Sequence, residues 1–497
     1  MSLKKNILSN YAGTLISTVL SFGVVPFYIK WLGPEAYGLV GIASLVQGWV
    51  MLLNAGLAPV VGRQAARAHG GAADWNETGR LFRTIDWLMA GLSLLVFLGI
   101  VFTGPWLANN WLEKTHLETK TVSTSLTLLI LMTLTRLLSS VSRGVIANME
   151  AQLWLNANLA FFNALRFAAS LPIVYTWRNI EVLFSWWAII AFIEYFSIQR
   201  KINKLIPISI PLFTFDHVEL KKHGHIIASL TFTSTVWILL TQLDKLILSG
   251  ILSLEKYGHY SIAILLASGI LILAQPVNQA FQPRMTKAFS QGGTKLITEE
   301  LILCTQLLVL LIAPIGAVLF AMPESVVYIW TGDYAVSTNV ANVLRGYVIG
   351  NTLIAIGGLL YLMQLAIGNI KWHLRGNLIF AMILIPTVPW VAKQYGAEGA
   401  GWLWAGINLL LFLGWNSFLL SKLAPAIRAR WLWRDTLTPL ATAFFSAWLV
   451  TKFIQPEPPN RLYLFALALL VMLTSTLALL VTTPEIRQRV KYKIFSY

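Results

Sequence analysis

Apolar side chains gather into long runs along this chain, and short polar connections separate them. A hydrocarbon core of about 30 Å needs about 20 helical residues per crossing. That window picks out fourteen runs, at 10–29, 36–61, 84–107, 122–147, 153–176, 180–198, 226–251, 258–283, 301–321, 343–367, 376–393, 399–422, 436–454 and 461–482. The pattern predicts an all-α membrane protein with fourteen transmembrane helices.

The runs are not independent of one another. Leu32-Gly33-Pro34-Glu35-Ala36-Tyr37-Gly38 returns 220 residues later as Leu252-Ser253-Leu254-Glu255-Lys256-Tyr257-Gly258. Arg63 falls against Arg284, and Asn148 and Asn156 fall against Asn369 and Asn377, at an offset of 221. Such constant spacing marks two copies of one six-helix unit, with the last two helices left over. Charge counting puts both Tyr-Gly elements on one side of the membrane. The copies are then parallel repeats about an axis along the membrane normal, with a substrate site expected between them. The expected organisation is an N-lobe at 1–200, a cytoplasmic interlobe linker at 201–225, a C-lobe at 226–425, and helices thirteen and fourteen with a basic tail at 426–497.

Composition excludes a soluble chain: 57% of residues are hydrophobic and 12% charged, with a mean hydropathy of +0.68. Orientation follows from the connections, where an inward N-terminus places about 25 of the 37 Lys and Arg on the cytoplasmic side against about 9 outside. The C-terminus is then also inside. This bias accounts for most of the net charge of +16, which makes nucleic acid an unneeded partner. The tail from Arg487 to Lys493 is expected to sit against anionic lipid. Between Gln199 and about His225, a basic segment with Pro207 and Pro211 suits either the inner membrane surface or an ordinary solvated loop. Tryptophans gather near span ends, Trp31, Trp106, Trp111, Trp177, Trp330 and Trp390 outside and Trp75, Trp372 and Trp431 inside, as aromatic belts do.

A charge inside a span costs roughly 2.5–3.5 kcal/mol on insertion scales, so it should face protein or water and is a functional candidate. Arg136 and Arg166 lie near the middle of the fourth and fifth helices, where no acidic partner is obvious. A guanidinium donates two parallel hydrogen bonds to phosphate oxygens and keeps its charge, which makes the pair a candidate anion site. Pairing with a backbone carbonyl or a carboxylate inside the lobe is the structural alternative. Arg63 and Arg284 mark the inner ends of helices two and eight, either as orientation signals or as the lining of an inner vestibule. Asp244-Lys245 stands where the first copy carries Val24-Val25. It is a candidate proton or sodium coupling site, with Arg345 at the start of helix ten as its partner or as an outer-cavity residue. Glu194 and Asp86 are expected to pair locally, with Arg200 and Arg83.

Chemistry of other kinds lacks its motifs. There is no phosphate-binding Gly-x-x-x-x-Gly-Lys-Ser/Thr loop, no His-Glu-x-x-His and no Gly-x-Ser-x-Gly. The seven histidines lack metal-ligand spacing, and Cys304 is alone, so no cofactor or metal is expected.

Asn6 to Arg67, with Leu32 to Leu39, Asn54-Ala55-Gly56 and Arg63-Gln64-Ala65-Ala66-Arg67, resembles the polysaccharide-biosynthesis transporter family. The stretches Leu243-Asp244-Lys245-Leu246-Ile247-Leu248 and Glu255 to Ser261 are similar to it too. These are the Wzx-type flippases of the multidrug, oligosaccharidyl-lipid and polysaccharide exporter superfamily. The resemblance covers about the first 420 residues. It implies two six-helix lobes in a V around a cationic cavity, translocating a polyprenyl-pyrophosphate-linked oligosaccharide across a bacterial inner membrane for O-antigen, capsule or exopolysaccharide assembly. On that carry-over Arg136, Arg166, Arg63 and Arg284 hold the pyrophosphate. Membrane lipids, a proton or sodium ion, and glycan polymerase and chain-length machinery are the further candidate partners.

Three alternatives stay open. A lipid II flippase would share the cationic cavity. A multidrug cation antiporter on the same scaffold would want deep acidic residues instead. A membrane-embedded glycosyltransferase or polymerase would need an external acid, for which Glu113, Glu118, Glu324 and Asp333 are the candidates.

Overall fold

The computed structural model describes residues 3–112, 115–149, 151–206, 211, 213–454 and 460–483. Glu113, Pro207 and the basic tail from Arg487 to Lys493 lie outside the described residues. Described residues with regular structure are helical, and they divide into two compact units, 1–258 and 259–497.

The first unit contains α1 (Leu3–Leu32), α2 (Pro34–Asn54), α3 (Leu57–His69), α4 (Trp75–Asn110), α5 (Thr119–Asn148), α6 (Gln152–Phe167), α7 (Ser170–Trp177), α8 (Ile180–Leu205), α9 (His217–Ile251) and the start of α10 (Leu254–Ala321). Helix α5 is its hub, packed on α2, α3, α4, α6 and α8. Its sequence explains this position. Small polar residues such as Ser125, Thr133, Ser139 and Ser142 are buried along it, and small side chains let backbones approach closely where lipid supplies no hydrophobic drive between helices. Thr133 and Thr135 return their hydroxyls to the carbonyls of Leu129 and Leu131, at 2.8 and 2.7 Å, so these two donors are satisfied within the helix. Leu81, Ile85 and Met89 of α4, Val141 and Val145 of α5, and Ile198 and Ile202 of α8 close an apolar core beside these contacts.

The two copies of the repeated motif pack on one another reciprocally. A Cβ on Gly38 would collide with the Leu254 carbonyl, and a Cβ on Gly258 would stand 2.5 Å from the Pro34 carbonyl and 3.2 Å from the Gly38 nitrogen. Pro34 and Leu254 occupy equivalent places in the repeat, as do Gly38 and Gly258, so glycine is required twice for one steric reason. The motif's Glu35 accepts hydrogen bonds from the Thr115 hydroxyl and the His116 backbone N–H, at 2.7 and 2.6 Å, tying the 115–118 loop to α2.

The second unit holds the rest of α10, α11 (Pro323–Thr331), α12 (Tyr334–Ile367), α13 (Lys371–Leu410), α14 (Ser417–Leu423), α15 (Thr438–Phe453) and α16 (Arg461–Thr482). Two long helices are each a pair of spans. α10 turns at Gly292 and Gly293, the latter at φ +58°, and α13 turns at Gly396, at φ +60°, backbone that only glycine adopts without strain. Among the described residues, eleven helices are long and apolar enough to cross a membrane. Resolving the two paired helices and adding α15, which a π-helical turn at Arg430–Leu437 leads into, recovers all fourteen predicted spans.

Trp431 departs from its expected place in an aromatic belt. It is fully buried, donates to the Thr305 hydroxyl at 2.8 Å and stacks on Phe412. Beside it, the buried Asp435 accepts from Gln306 at 2.7 Å and pairs with Arg430 at 3.3 Å.

Candidate functional site

Three arginines and one glutamate converge near the middle of the first unit's spans. Arg136 and Arg143 are seven residues apart on α5, which puts them on one face two turns apart. Arg166 ends α6, and Glu194 lies near the midpoint of α8. The two carboxylate oxygens are divided between two guanidiniums: Arg166 Nη2 donates to Oε2 at 2.7 Å and Arg143 Nη2 to Oε1 at 2.8 Å. Arg166 and Glu194 are 2% and 1% exposed, Arg143 19%.

The backbone around this cluster is held by groups of the same helices. Arg166 Nη1 donates to Asn163 Oδ1 at 3.0 Å, and Asn163 donates in turn to Ser17 of α1 at 2.8 Å. Pro172, in the first turn of α7, has no N–H to give to the Ala168 carbonyl, so the span breaks between α6 and α7. The last carbonyls of α6 would otherwise lack partners. The indoles of Trp186 and Trp187 supply them, donating to the Leu165 and Arg166 carbonyls at 2.8 and 3.1 Å. Arg166 is therefore fixed at both its backbone and its side chain.

Arg136 differs from its neighbours. It is half-buried within electrostatic reach of Arg143, Arg166 and Glu194. Among the described residues its guanidinium has no hydrogen-bonding or ion-pairing partner. One carboxylate against three guanidiniums leaves two formal positive charges in excess.

The remaining candidates are dispersed. Arg63 is exposed on α3 without a partner among the described residues. Arg284, also exposed, pairs with Glu300 at 3.0 Å, lies over the Phe281 ring, and lines a cavity of about 360 Å³ with Lys287, Glu299 and Glu300. Arg345 is held by Glu324 at 3.3 Å, Asn342 at 2.8 Å and the Phe320 carbonyl at 3.2 Å. Asp244 is buried in α9 within reach of Lys245 and Tyr257, while Lys245 donates to Gln242 at 3.0 Å.

Glu194 does not pair with Arg200 as its sequence neighbourhood suggested. Helix α8 runs on to Leu205, so Glu194 sits deeper than the apolar window ending at 198 implied. It also falls on the inward face with Trp187, Ala191, Ile198 and Ile202. That three-and-four spacing was available in the sequence and identifies Glu194 as the missing acidic partner. Arg143 carries no such signal in the sequence, since it lies only about one turn from the end of its predicted span, where basic residues are ordinary. Of the acids considered for an external catalytic role, Glu324 is the partner of Arg345, and Asp333 caps α12 by accepting from the Val336 N–H at 3.1 Å.

Comparison with known proteins places this architecture. Residues 3–289 match the family described as "Polysaccharide biosynthesis protein". No curated protein matches the chain. Among solved structures, a lipid II flippase MurJ in an inward closed conformation superposes with a TM-score of 0.75 at 13% identity, covering 96% of this chain and 98% of that one. An inward-facing multidrug resistance transporter of the MATE family gives 0.64 at 13% identity, over 84% of this chain and 99% of that one. A MOP superfamily transporter from Pyrococcus furiosus gives 0.55 at 14% identity, over 84% and 96%. At such identities the likeness shows a shared fold, that of multi-pass membrane transporters. The profile match across residues 3–289 goes further: the chain belongs to the polysaccharide biosynthesis protein family.

Proposed function

We propose that the protein is a flippase for a polyprenyl-pyrophosphate-linked oligosaccharide, moving it across a bacterial inner membrane by alternating access for O-antigen, capsule or exopolysaccharide assembly. One observation carries this reading. A guanidinium near the midpoint of a membrane span, Arg136, has no partner among the described residues and stands beside two further guanidiniums that Glu194 holds in place. A pyrophosphate diester is doubly anionic, and the cluster's excess positive charge complements it. Arg136 offers the direct contact, with Arg143 and Arg166 supplying the field and its rigidity. Glu194 is engaged on both oxygens, so it is not the open deep acid that export of cationic drugs calls for.

The exposed Arg63 and Arg284 serve in this reading as attractors for the headgroup before entry. Asp244 and Lys245 are the coupling candidates, and Arg345 is an outer residue steadied by Glu324. The N- and C-termini are placed in the cytoplasm by the distribution of Lys and Arg in the connections.

The test is reconstitution into liposomes with a fluorescent lipid-linked pyrophosphate glycan, following its exposure to the opposite leaflet. Wild-type protein should accelerate exposure over empty liposomes. Hydrogen bonds to charged groups contribute about 1.5–3 kcal/mol, so Arg136→Ala should bind the headgroup about ten- to a hundred-fold more weakly. Binding and exposure at wild-type levels in Arg136→Ala would remove this residue from the site. No acceleration by wild-type protein under any ion gradient would overturn the function.

A further inference from the structure

A second cationic site lies away from the arginine cluster, on the outer surface of the first unit where α6 begins and α8 ends. A cavity of about 460 Å³ there is lined by Trp154 of α6 and by Ile193, Phe196, Arg200, Lys201 and Lys204 of α8. That volume is in the range of small-molecule sites. Arg200 and Lys204 are exposed and Lys201 is half-buried. Lys201 Nζ stands 5.4 Å from the centre of the Trp154 ring. Among the described residues none of the three cations forms an ion pair.

What lies beside the cavity identifies its ligand. Ile189, Phe192, Ile193 and Phe196 are 53%, 56%, 49% and 48% exposed and follow helical spacing along one face of α8, opposite the face that carries Glu194. An exposed stripe of this kind on a membrane span is covered by acyl chains. It leads along the helix into Arg200, Lys201 and Lys204, about 16 Å from Ile189 to Arg200 at 1.5 Å per residue. An apolar track about a lipid tail deep, ending in three cations and a tryptophan at interfacial depth, has the polarity profile of one anionic phospholipid. Lys204 in the last turn also suits the helix dipole, but that role is met at any azimuth around the helix. Here the charges converge on one cavity with the aromatic ring.

We propose that this cavity binds the phosphate headgroup of an anionic phospholipid whose acyl chains lie along Ile189, Phe192, Ile193 and Phe196. The site is separate from the transport cluster and independent of the flippase reading, because it needs no glycan.

Native mass spectrometry of the full-length protein in detergent, titrated with phosphatidylglycerol, phosphatidylcholine or inorganic phosphate, tests the proposal. Each Lys or Arg near an anionic headgroup contributes about five-fold in affinity, so Arg200→Gln/Lys201→Gln/Lys204→Gln should lose roughly a hundred-fold of the phosphatidylglycerol binding. The charge-conserving Arg200→Lys/Lys201→Arg/Lys204→Arg protein and the distant control Lys371→Gln should keep it, and circular dichroism should match wild type in all three. Equal retention of the two phospholipids would overturn the proposal, as would a triple glutamine variant that binds like wild type. Displacement by inorganic phosphate as effective as by phosphatidylglycerol would also overturn it, making the cavity a free-anion site.

Discussion

Replacing Glu194 by Gln removes the carboxylate that the buried Arg166 and the partly buried Arg143 share while keeping the side chain's shape. The cost follows from the geometry. Nitrogen–oxygen separations of 2.7 and 2.8 Å, with Arg166 and Glu194 98–99% shielded, put each pair in the regime where unit charges about 4 Å apart attract by about 4 kcal/mol at an effective dielectric of 20. Desolvation offsets much of that attraction when both partners are present. Removing one partner leaves the other charge buried and alone, which costs about 3–5 kcal/mol. Here the uncompensated guanidiniums would face one another, and the Gln amide would set an NH2 donor against one of them where a carboxylate oxygen accepted. We expect Glu194→Gln to lose about 3 kcal/mol, which in a unit of 258 residues corresponds to a fall in melting temperature of about 6–12 °C. The assay is thermal unfolding of detergent-solubilised protein, all variants being scanned at one rate because membrane proteins often unfold irreversibly. Replacing all three together, as Arg143→Met/Arg166→Met/Glu194→Leu, should recover most of the loss, since exchanging a whole hydrogen-bonded ion triad for apolar groups is often neutral. A Glu194→Gln protein melting within about 2 °C of wild type would refute the reasoning, as would a triple variant no more stable than Glu194→Leu.

Other variants separate steric, backbone and electrostatic causes in the same melting assay. Gly38→Ala and Gly258→Ala should each lower stability by about 1–3 kcal/mol, because the new methyl meets a backbone carbonyl that cannot step aside, whereas Gly23→Ala, with nothing within 4 Å, should be neutral. Gly293→Ala should cost about 1–3 kcal/mol through its φ of +58° alone, since no atom lies near its absent Cβ; an unchanged melting temperature would contradict this. Arg136→Ala should raise melting by about 2–4 °C, the equivalent of about 1 kcal/mol, because it removes a cation repelled by two others and without a partner among the described residues. A fall as large as that of Glu194→Gln would make Arg136 a structural strut.

The spans were legible in the sequence because lipid imposes a length and a polarity on every crossing. Their ends were not. Hydropathy reports where hydrocarbon stops, while a helix continues as long as its backbone hydrogen bonds are made. α4 therefore starts at Trp75 and α9 at His217, well before the apolar windows at 84 and 226. Asp74 and Asp216 explain those starts, Asp74 accepting from the Asn76 N–H and Asp216 from the Val218 and Glu219 N–H groups. The repeat was legible too, although the reason for its glycines was not, since only the folded chain brings Gly38 against Leu254 and Gly258 against Pro34. Trp431 shows the limit of reasoning from depth alone: a tryptophan near a span end is as much at home under the bundle, given a hydroxyl such as Thr305 to receive its N–H.

The arginine cluster shows what a count of charges misses. Arg136 and Arg166 look alike in sequence, each a lone cation in mid-span, but Glu194 lies with Ile198 and Ile202 on the inward face of α8 and engages Arg166 and Arg143 there. Burial decides their roles. A guanidinium 2% exposed with a carboxylate at 2.7 Å is held by the protein and would lose that partner to reach a ligand. Among the described residues Arg136 has no partner to give up. An arginine at this depth costs roughly 2.5–3.5 kcal/mol on insertion scales, so its retention marks a functional candidate. A site that binds an anion only in passing must be under-compensated, because a fully neutralised cluster would hold no attraction for a headgroup. On the proposed reading, Glu194 serves transport by satisfying its neighbours, Arg143 and Arg166, and leaving Arg136 open.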